Sequence, residues 1–440
     1  MKKNTFHLIS LGCAKNLVDS NVLAQLLEAE GLNYAESPQQ AEFVLVNTCG
    51  FIHDARQESQ DTIREMAGLK NPRQKLIVTG CLAERWRENL LKSHPGIDGL
   101  IGTRRVADIV PLIKKLKSDG RASTYLDYPA LQYAPGASYT TIQGGSSYLK
   151  IADGCHRSCA FCAIPGIKGN LVCRPAEDIL RDACFLQEAG VNEINLIAQD
   201  VTAYGADRGE QDGLYQLLQK LLPEIPEVPW LRLLYTYPGM ISDNLIDLMA
   251  SSEQLLPYLD IPLQHASPEV LKSMRRPSDI DWVRRTITTM RQRIPHLVVR
   301  TTLIVGFPTE TEEHFNELYD FVEEMKFDHM GVFTYSPEEG TFAESLGDPI
   351  NQQEKEARRE KLMELQSRLA LEKKQSLIGT TLDVLVEGVD PHQEVIIGRT
   401  YRDAPEIDGL VVANGHTEVG DLTSVTIEGV GPYDLFGTQE

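Results

Sequence analysis

The stretch GCHRSCAFC, residues 154–162, decides how the chain is interpreted, because it places Cys155, Cys159 and Cys162 in one short loop. A Cys-x3-Cys-x2-Cys spacing lets a single loop wrap a cubane iron-sulfur cluster, with each thiolate on a different iron and one iron left open. A structural zinc site normally needs four ligands, and a fourth local cysteine is missing unless Cys173 takes that place. The spacing favours a cluster; a zinc loop and three core cysteines are the alternatives.

Three further cysteines lie upstream in turns that carry a glycine: Cys13 in SLGCAKN, Cys49 in NTCGFI and Cys81 in TGCLAER. Strand-like runs alternate with amphipathic stretches around them, which predicts βα units about a mainly parallel sheet. The predicted strands are Phe6–Leu11, Phe43–Val46, Leu76–Thr79 and Leu100–Ile101, and the predicted helices are Leu17–Glu30, His53–Leu69, Leu82–Leu91 and Val106–Leu116. Ligands gather beyond the carboxyl ends of such strands, so the three thiols could converge. Taken alone, dispersed cysteines are more often small core residues.

Downstream of residue 148, strands again precede helices, and six predicted βα units indicate a full or partial (β/α) barrel. The predicted strands are Tyr148–Ile151, Glu193–Ile197, Trp230–Tyr235, Leu259–Leu263, Val298–Val305 and His329–Phe333. The working face of such a barrel is the carboxyl end of its strands. The residues predicted at that face are Gln199, Asp200, Tyr237, Gln264, His265 and Gly306.

The last part of the chain predicts a long helix followed by an all-β module. The charged stretch Asn351–Leu377 carries leucines on one face, which is typical of a connecting helix. The remainder alternates β-branched runs with Gly, Asp and Asn turns and suits a five-stranded small barrel. From Thr380 to the end, twelve acidic residues stand against only Arg399 and Arg402. This module therefore carries about half of the chain's formal charge of −20.

The composition limits the possible functions. A chain of 440 residues is too long for one core and should divide into two to four domains. The balance of 43 Lys and Arg against 63 Asp and Glu argues against general nucleic-acid binding. No apolar run approaches the roughly 20 residues that cross a bilayer, and the start MKKNTFHLIS becomes polar too soon for a signal peptide, so we expect a cytoplasmic protein. In that reducing compartment, eight cysteines indicate metal or redox chemistry rather than disulfides.

The cysteine loop, with Phe161 before its last cysteine, resembles that of the radical S-adenosylmethionine (SAM) superfamily. The three glycine-bearing turns resemble the amino-terminal domain of the methylthiotransferases, and the likeness continues to a terminal barrel of the TRAM type. It implies a multidomain α/β plus all-β fold. The implied parts are an amino-terminal parallel α/β methylthiotransferase domain (4–118), a linker (119–140), a radical-SAM (β/α) full or partial TIM barrel (141–372) and a five-stranded TRAM-type β-barrel (375–440).

The resemblance implies two 4Fe-4S clusters, each with an open iron. The cluster on Cys155, Cys159 and Cys162 would bind SAM and cleave it to a 5′-deoxyadenosyl radical. The cluster on Cys13, Cys49 and Cys81 would present sulfur beside the substrate radical. One SAM would supply the methyl group and another the radical. The further candidates for SAM contacts are Phe161, Gln199, Asp200, Gln264 and Gly306.

Other polar residues carry weaker expectations. His265 is more typical of a hydrogen-bonded structural histidine than of a ligand. Lys15, Arg232 and Arg300 are candidates for pairing with a target carboxylate, and the sequence does not choose among them. The two remaining cysteines have no ligand role in the resemblance: Cys173 stands where a small hydroxyl residue is expected, and Cys184 is expected to face the core from a helix.

The main branches of the family modify either an adenosine beside the tRNA anticodon or an aspartate of a ribosomal protein. An acidic terminal barrel repels tRNA and attracts a basic protein. The segments LVDSN, PYLDIPLQHASPEVLKSMRRP, APEIDG and YDLFG also resemble the second branch, which methylthiolates the β-carbon of an aspartate in small-subunit ribosomal protein twelve. The sequence therefore predicts a radical SAM sulfurtransferase that acts on this protein or on the small ribosomal subunit, with an electron donor, as a monomer and away from membranes. A tRNA adenosine methylthiotransferase and a non-catalytic iron-sulfur or zinc protein of ribosome assembly are the alternatives.

Overall fold

The computed structural model describes residues 3–119, 131–390 and 392–440. The amino-terminal unit alternates strands with helices, as predicted. Its elements are β1 (Thr5–Ser10), α1 (Ala14–Ala29), β2 (Asn33–Tyr34), β3 (Phe43–Thr48), α2 (His53–Leu69), β4 (Lys75–Gly80), α3 (Cys81–Trp86), α4 (Glu88–Ser93), β5 (Gly99–Leu100) and α5 (Ile109–Asp119). The strands form one parallel sheet in the order β2-β1-β3-β4-β5. β3 is buried throughout, as expected of a central parallel strand covered on both faces.

The prediction of one helix over Leu82–Leu91 is wrong, because Arg87 interrupts the helix between α3 and α4. Arg87 adopts φ +51°. Its guanidinium donates to the backbone carbonyl of Glu84 at 2.9 Å and to the carboxylate of Glu84 at 2.6 Å. The side chain thereby closes α3 and lets α4 leave in a new direction. The linker expected at 119–140 falls partly outside the described residues.

The central unit is a partial barrel. Its elements are β6 (Thr140–Gln143), β7 (Ser146–Lys150), β8 (Ala152–Asp153), α6 (Ile164–Lys168), β9 (Val172–Cys173), α7 (Ala176–Glu188), β10 (Glu193–Ile197), α8 (Gly213–Glu224), β11 (Trp230–Leu233), α9 (Asp243–Ser251), β12 (Tyr258–Asp260), α10 (Pro268–Ser273), α11 (Ile280–Arg293), β13 (Val298–Val305), α12 (Glu312–Met325) and β14 (His329–Thr334). β7, β10 and β11 pair in parallel, as do β12, β13 and β14. The antiparallel strand β6 occupies the free edge of β7, so within the described residues the two sheets do not close into a full barrel.

A long helix, α13 (Gln352–Lys374), connects this unit to the terminal barrel and buries Leu362, Leu365 and Leu369 against the central core, as predicted. The terminal strands are β15 (Thr381–Asp390), β16 (Val395–Arg399), β17 (Val411–Asn414), β18 (Leu422–Val430) and β19 (Leu435–Gln439). They form a closed barrel in the order β15-β16-β17-β19-β18, which confirms the five-stranded prediction. No helix in the described ranges is long and apolar enough to cross a membrane.

The barrel is joined to the central unit by buried ion pairs. Arg399 donates to Glu193 at 2.6 Å, and Arg402 donates to Asp328 at 3.2 Å. Both basic residues of the barrel therefore lie in this contact, and acidic side chains remain on the outer surface of the barrel.

Candidate active site

All six cysteines of the two predicted trios line a single cavity of about 510 Å³. Cys13, Cys49 and Cys81 follow β1, β3 and β4, at the carboxyl edge of the amino-terminal sheet. The loop that carries the other trio follows β7 and β8 of the partial barrel. The carboxyl ends of two parallel sheets therefore contribute to one cavity, which is where ligands collect in both fold types.

The amino-terminal trio is held by close backbone packing. Gly12 adopts φ +90°, and a Cβ there would lie 2.8 Å from the Cβ of Cys49, so only glycine fits. Cys13 caps the amino end of α1, and Cys81 is the first residue of α3. The buried side chain of Asn16 donates to the carbonyl of Leu11 at 2.6 Å and so fixes the turn around Cys13.

Three backbone contacts hold the second trio. The amide of Cys155 donates to Gly169 at 3.0 Å, and the amide of Cys162 donates to Cys159 within the loop at 3.1 Å. The amide of Ala160 donates to Met274, which ties the loop to the end of α10.

Hydrogen-bond donors approach the sulfur atoms of this loop. The amide of Arg157 lies 3.4 Å from Sγ of Cys155, and the guanidinium of Arg276 lies 3.7 Å from Sγ of Cys159. The guanidinium groups of Arg157 and Arg276 also stack on the ring of Tyr237, at 4.1 and 4.3 Å from its centroid. Donors and cations of this kind stabilise thiolates.

The arrangement of the thiols argues against a single zinc ion in either trio. Among the described residues, no three His, Cys, Asp or Glu side chains are grouped so as to hold one ion, whereas a zinc site needs four such ligands at about 2.0–2.3 Å. Thiolates around a cubane bind different irons and lie farther apart. Cys173, the possible fourth ligand, is buried outside the cavity, where its Sγ accepts from the amide of Gly205 at 3.2 Å.

Burial raises the pKa of the Cys81 and Cys162 thiols to about 12, and it raises the pKa of Cys49 and Cys155 as well. Thiols with such pKa values are neutral at pH 7 until iron displaces their protons. Binding of iron by these thiols would therefore release protons and depend on pH.

The predicted rim residues divide into two groups. Phe161, Gln199, Asp200, Tyr237 and Gln264 line the cavity. Gly306 and His265 are not among the residues that line it.

Gly306 sits in a tight turn under α13, where a Cβ would lie 2.3 Å from Cγ of Lys355. The packing of α13 therefore accounts for the glycine, and the approach of this turn to SAM stays a prediction. His265 is fully buried, with Nδ1 accepting from the amide of Ser267 and Nε2 3.3 Å from Glu310, which fits the structural role expected of it.

Cys184 does not face the core as predicted. It is half-buried, and its Sγ lies 3.8 Å from the carbonyl of Glu224 at the end of α8.

Sequence reasoning missed a buried network of two lysines and two aspartates beside the cavity. Lys168 donates to Asp19 at 2.8 Å and to Asp153 at 3.0 Å, and Lys150 contacts the same two carboxylates. Burial alone would raise the pKa of the Asp153 carboxyl, but the two lysines hold this pKa well below its usual range. Because Asp19 lies on α1 and its partners lie in the central unit, the network joins the two units that carry the cysteines.

The same network positions a cavity residue, since the amide of Gln199 donates to Asp153 at 2.6 Å. One signal in the sequence pointed to it, because Lys150 ends an otherwise uncharged strand.

Comparison with known proteins covers the whole chain. Family models match at residues 5–102 (Uncharacterized protein family UPF0004), 149–322 (Radical SAM superfamily) and 378–439 (TRAM domain). Two relatives named ribosomal protein uS12 methylthiotransferase RimO are similar over nearly their full length. The protein from Lachnoclostridium phytofermentans is 42% identical, covering 98% of this chain and 99% of the relative, and that from Aquifex aeolicus is 43% identical, covering 98% and 96%.

Two solved structures share the fold at low sequence identity. The radical SAM methyltransferase TsrM from Kitasatospora setae gives a TM-score of 0.56 at 14% identity, covering 75% of this chain and 73% of that chain. The cobalamin-dependent SAM radical enzyme OxsB gives 0.54 at 12% identity, covering 81% and 56%. These likenesses support the radical SAM fold assignment.

Proposed function

The chain belongs to the family of ribosomal protein uS12 methylthiotransferases, and on this premise we propose that it replaces one hydrogen on the β-carbon of a uS12 aspartate with a methylthio group. The observation that carries the proposal is the convergence of both cysteine trios on one cavity. The reaction needs a radical and a sulfur source at the same carbon, and a single cavity allows both to reach it.

The chemistry explains why acid–base catalysis is not enough. A side-chain base acts efficiently only when its pKa is near that of the group it deprotonates, and no side chain matches an unactivated C–H bond. When bound, one 4Fe-4S cluster on Cys155, Cys159 and Cys162 supplies the electron that cleaves SAM to a hydrogen-abstracting radical, and a second on Cys13, Cys49 and Cys81 supplies the sulfur.

The protein's own groups prepare this cavity. Arg157 is fixed between Asp200, at 2.9 Å, and the ring of Tyr237, so its positive charge stays beside the cysteine loop. The side chains of Phe161 and Tyr237 cover the cavity wall with aromatic surface, which excludes water from a reactive intermediate. A volume of about 510 Å³ lies in the range of small-molecule sites.

Charge on the terminal barrel supports a protein substrate over tRNA. Its only two arginines are held in the contact with the central unit, which leaves acidic side chains such as Glu394, Glu418 and Glu428 exposed. Such a surface speeds encounter with a basic ribosomal protein and repels a phosphate backbone. Because one chain supplies both trios, we infer that it acts as a monomer, with an external electron donor, in the cytoplasm where ribosomes are made.

The test is a product analysis on the anaerobically reconstituted enzyme with SAM and a reductant. A uS12 peptide or the small subunit and bulk tRNA are offered in parallel, and a peptide with the target aspartate replaced by alanine is the matched control. We expect a mass gain of one CH2S unit on the aspartate peptide alone. A gain on adenosine would revive the tRNA alternative. Bound iron without SAM cleavage would favour the non-catalytic one.

A further inference from the structure

We propose that Lys15 holds the carboxylate of the target aspartate and thereby selects aspartate over neutral side chains. The inference rests on the proposed function and names the residue that recognises the reacting group. In aspartate the carboxylate is bonded directly to the β-carbon, so a cation that fixes the carboxylate also fixes the carbon to be modified.

The structure separates Lys15 from the other basic candidates. The side chain of Arg232 is fully buried and donates to Glu193 at 2.8 Å. Arg300 donates to Asp260 at 3.1 Å and is 3.2 Å from Asp408. Neither arginine lines the cavity, and each is already paired with a carboxylate of the protein itself.

The other cavity cations are also engaged. Arg157 pairs with Asp200 and Lys168 with two aspartates, as described above. The guanidinium of Arg276 donates to the carbonyl of Pro262 and approaches the cysteine loop. Arg157 and Arg276 therefore lie beside the cysteine loop, and Lys168 lies near Cys81.

Lys15 differs from them. It is half-buried in the cavity wall, and its ammonium lies 3.3 Å from the centroid of the Tyr235 ring. Among the described residues it forms no ion pair with a carboxylate. A partly desolvated ammonium held by the Tyr235 side chain still gains from a carboxylate partner, because these contacts replace only part of its hydration.

The position of Lys15 suits the reaction. It stands two residues after Cys13, in the first turn of α1, and therefore at the sulfur-donor end of the cavity. A carboxylate bound there places the neighbouring β-carbon beside the trio proposed to supply sulfur, while the radical side of the cavity remains open.

The test compares two uS12 peptides that differ only in the target residue, aspartate or asparagine. Their dissociation constants for the cluster-loaded enzyme are measured without reductant by fluorescence anisotropy. We expect the wild type to prefer the aspartate peptide at least tenfold, as for a charge-assisted hydrogen bond in a partly desolvated site. In Lys15→Met and Lys15→Gln the preference should fall to within about twofold. Lys220→Met, an exposed change on α8, is the control and should keep the wild-type preference.

The preference is the ratio of the two dissociation constants measured on the same variant. A lower fraction of binding-competent protein affects both constants equally and therefore does not change the ratio. A wild type without preference, or neutral variants that retain it, would overturn the proposal. Loss of iron in these variants with an unchanged ratio would instead make Lys15 a counter-ion of the cluster. Failure of the wild type to methylthiolate the aspartate peptide would reject the proposed function, which is a separate measurement from binding.

Discussion

Glu193 is the buried anion that joins the terminal barrel to the partial barrel, and removing its charge should weaken that contact strongly. Its carboxylate accepts from Arg232 at 2.8 Å, from Arg399 at 2.6 Å and from Ser146 at 2.8 Å. Neither arginine nor the glutamate keeps more than about 1% exposure, so water cannot replace a lost partner.

The magnitude follows from the pKa of Glu193. Although burial alone would raise it, the two arginines lower the pKa from its ordinary value near 4.5 to about 2. Since a tenfold change in an equilibrium constant is about 1.4 kcal/mol, the ionised glutamate contributes about 3 kcal/mol at neutral pH. Breaking a buried ion pair costs 3–5 kcal/mol in general, and the lower end applies because Arg399 keeps Glu387 at 2.7 Å.

The lowered pKa of Glu193 also determines the direction in which the stability changes with pH. A carboxylate with a depressed pKa stabilises the folded state above its unfolded pKa, and this stability is lost as the pH falls from about 4.5 towards 2. Glu193→Gln should therefore destabilise the folded protein by about 3 kcal/mol at pH 7 and by less near pH 3, and this loss is shared between the pair with Arg232 inside the central unit and the pair with Arg399 of the barrel.

The assay is hydrogen exchange of β15 and β16 together with thermal unfolding, at pH 7 and at the lowest pH the protein tolerates. Glu387→Gln is the matched control, because that side chain also contacts Arg399 but is 34% exposed and should cost less than about 1 kcal/mol. An equal loss of stability in the two variants would refute the reasoning. So would a difference in stability between them that grows as the pH is lowered.

Three further predictions concern the cavity and the barrel surface. Gly12→Ala forces a Cβ within 3.0 Å of Sγ of Cys49 and strains a φ of +90°, so it should roughly halve the bound iron while SAM cleavage persists, as measured by iron assay and 5′-deoxyadenosine release. Cys173→Ala should leave the iron content unchanged, because this thiol lies outside the cavity, and loss of iron would return it to the ligand set. The double variant Glu418→Gln, Glu428→Gln should lower kcat/KM for uS12 through a higher KM, with a difference that shrinks in high salt; a salt-independent effect would contradict charge steering.

Much of the fold could be predicted because it rests on local patterns. The strands of the parallel units are apolar runs followed by turn residues, and all six cysteines proposed to hold clusters follow strand ends, where parallel topology brings distant residues together. The alternation of β-branched runs with turn residues likewise predicts the five-stranded terminal barrel that β15 to β19 form.

What could not be predicted depends on tertiary partners. Asp19 looks like an ordinary helix acid, and only the folded chain shows it between two lysines of another unit. Gly306 follows a strand at the expected place, yet the neighbour that demands glycine is Lys355 of α13. Spacing places residues near an edge of a sheet, but the packing partner decides what they contact.

The most direct test of the central claim, that one cavity holds two clusters, is an iron and sulfide count with Mössbauer spectra on three proteins. These are the wild type and the two triple alanine variants, one at Cys13, Cys49 and Cys81 and the other at Cys155, Cys159 and Cys162. We predict about eight irons in the wild type and about four in each variant, with SAM cleavage lost only from the second variant and methylthio transfer lost from both. A wild type that binds only about four irons, or a triple variant that keeps the full wild-type iron content, would contradict the two-cluster account.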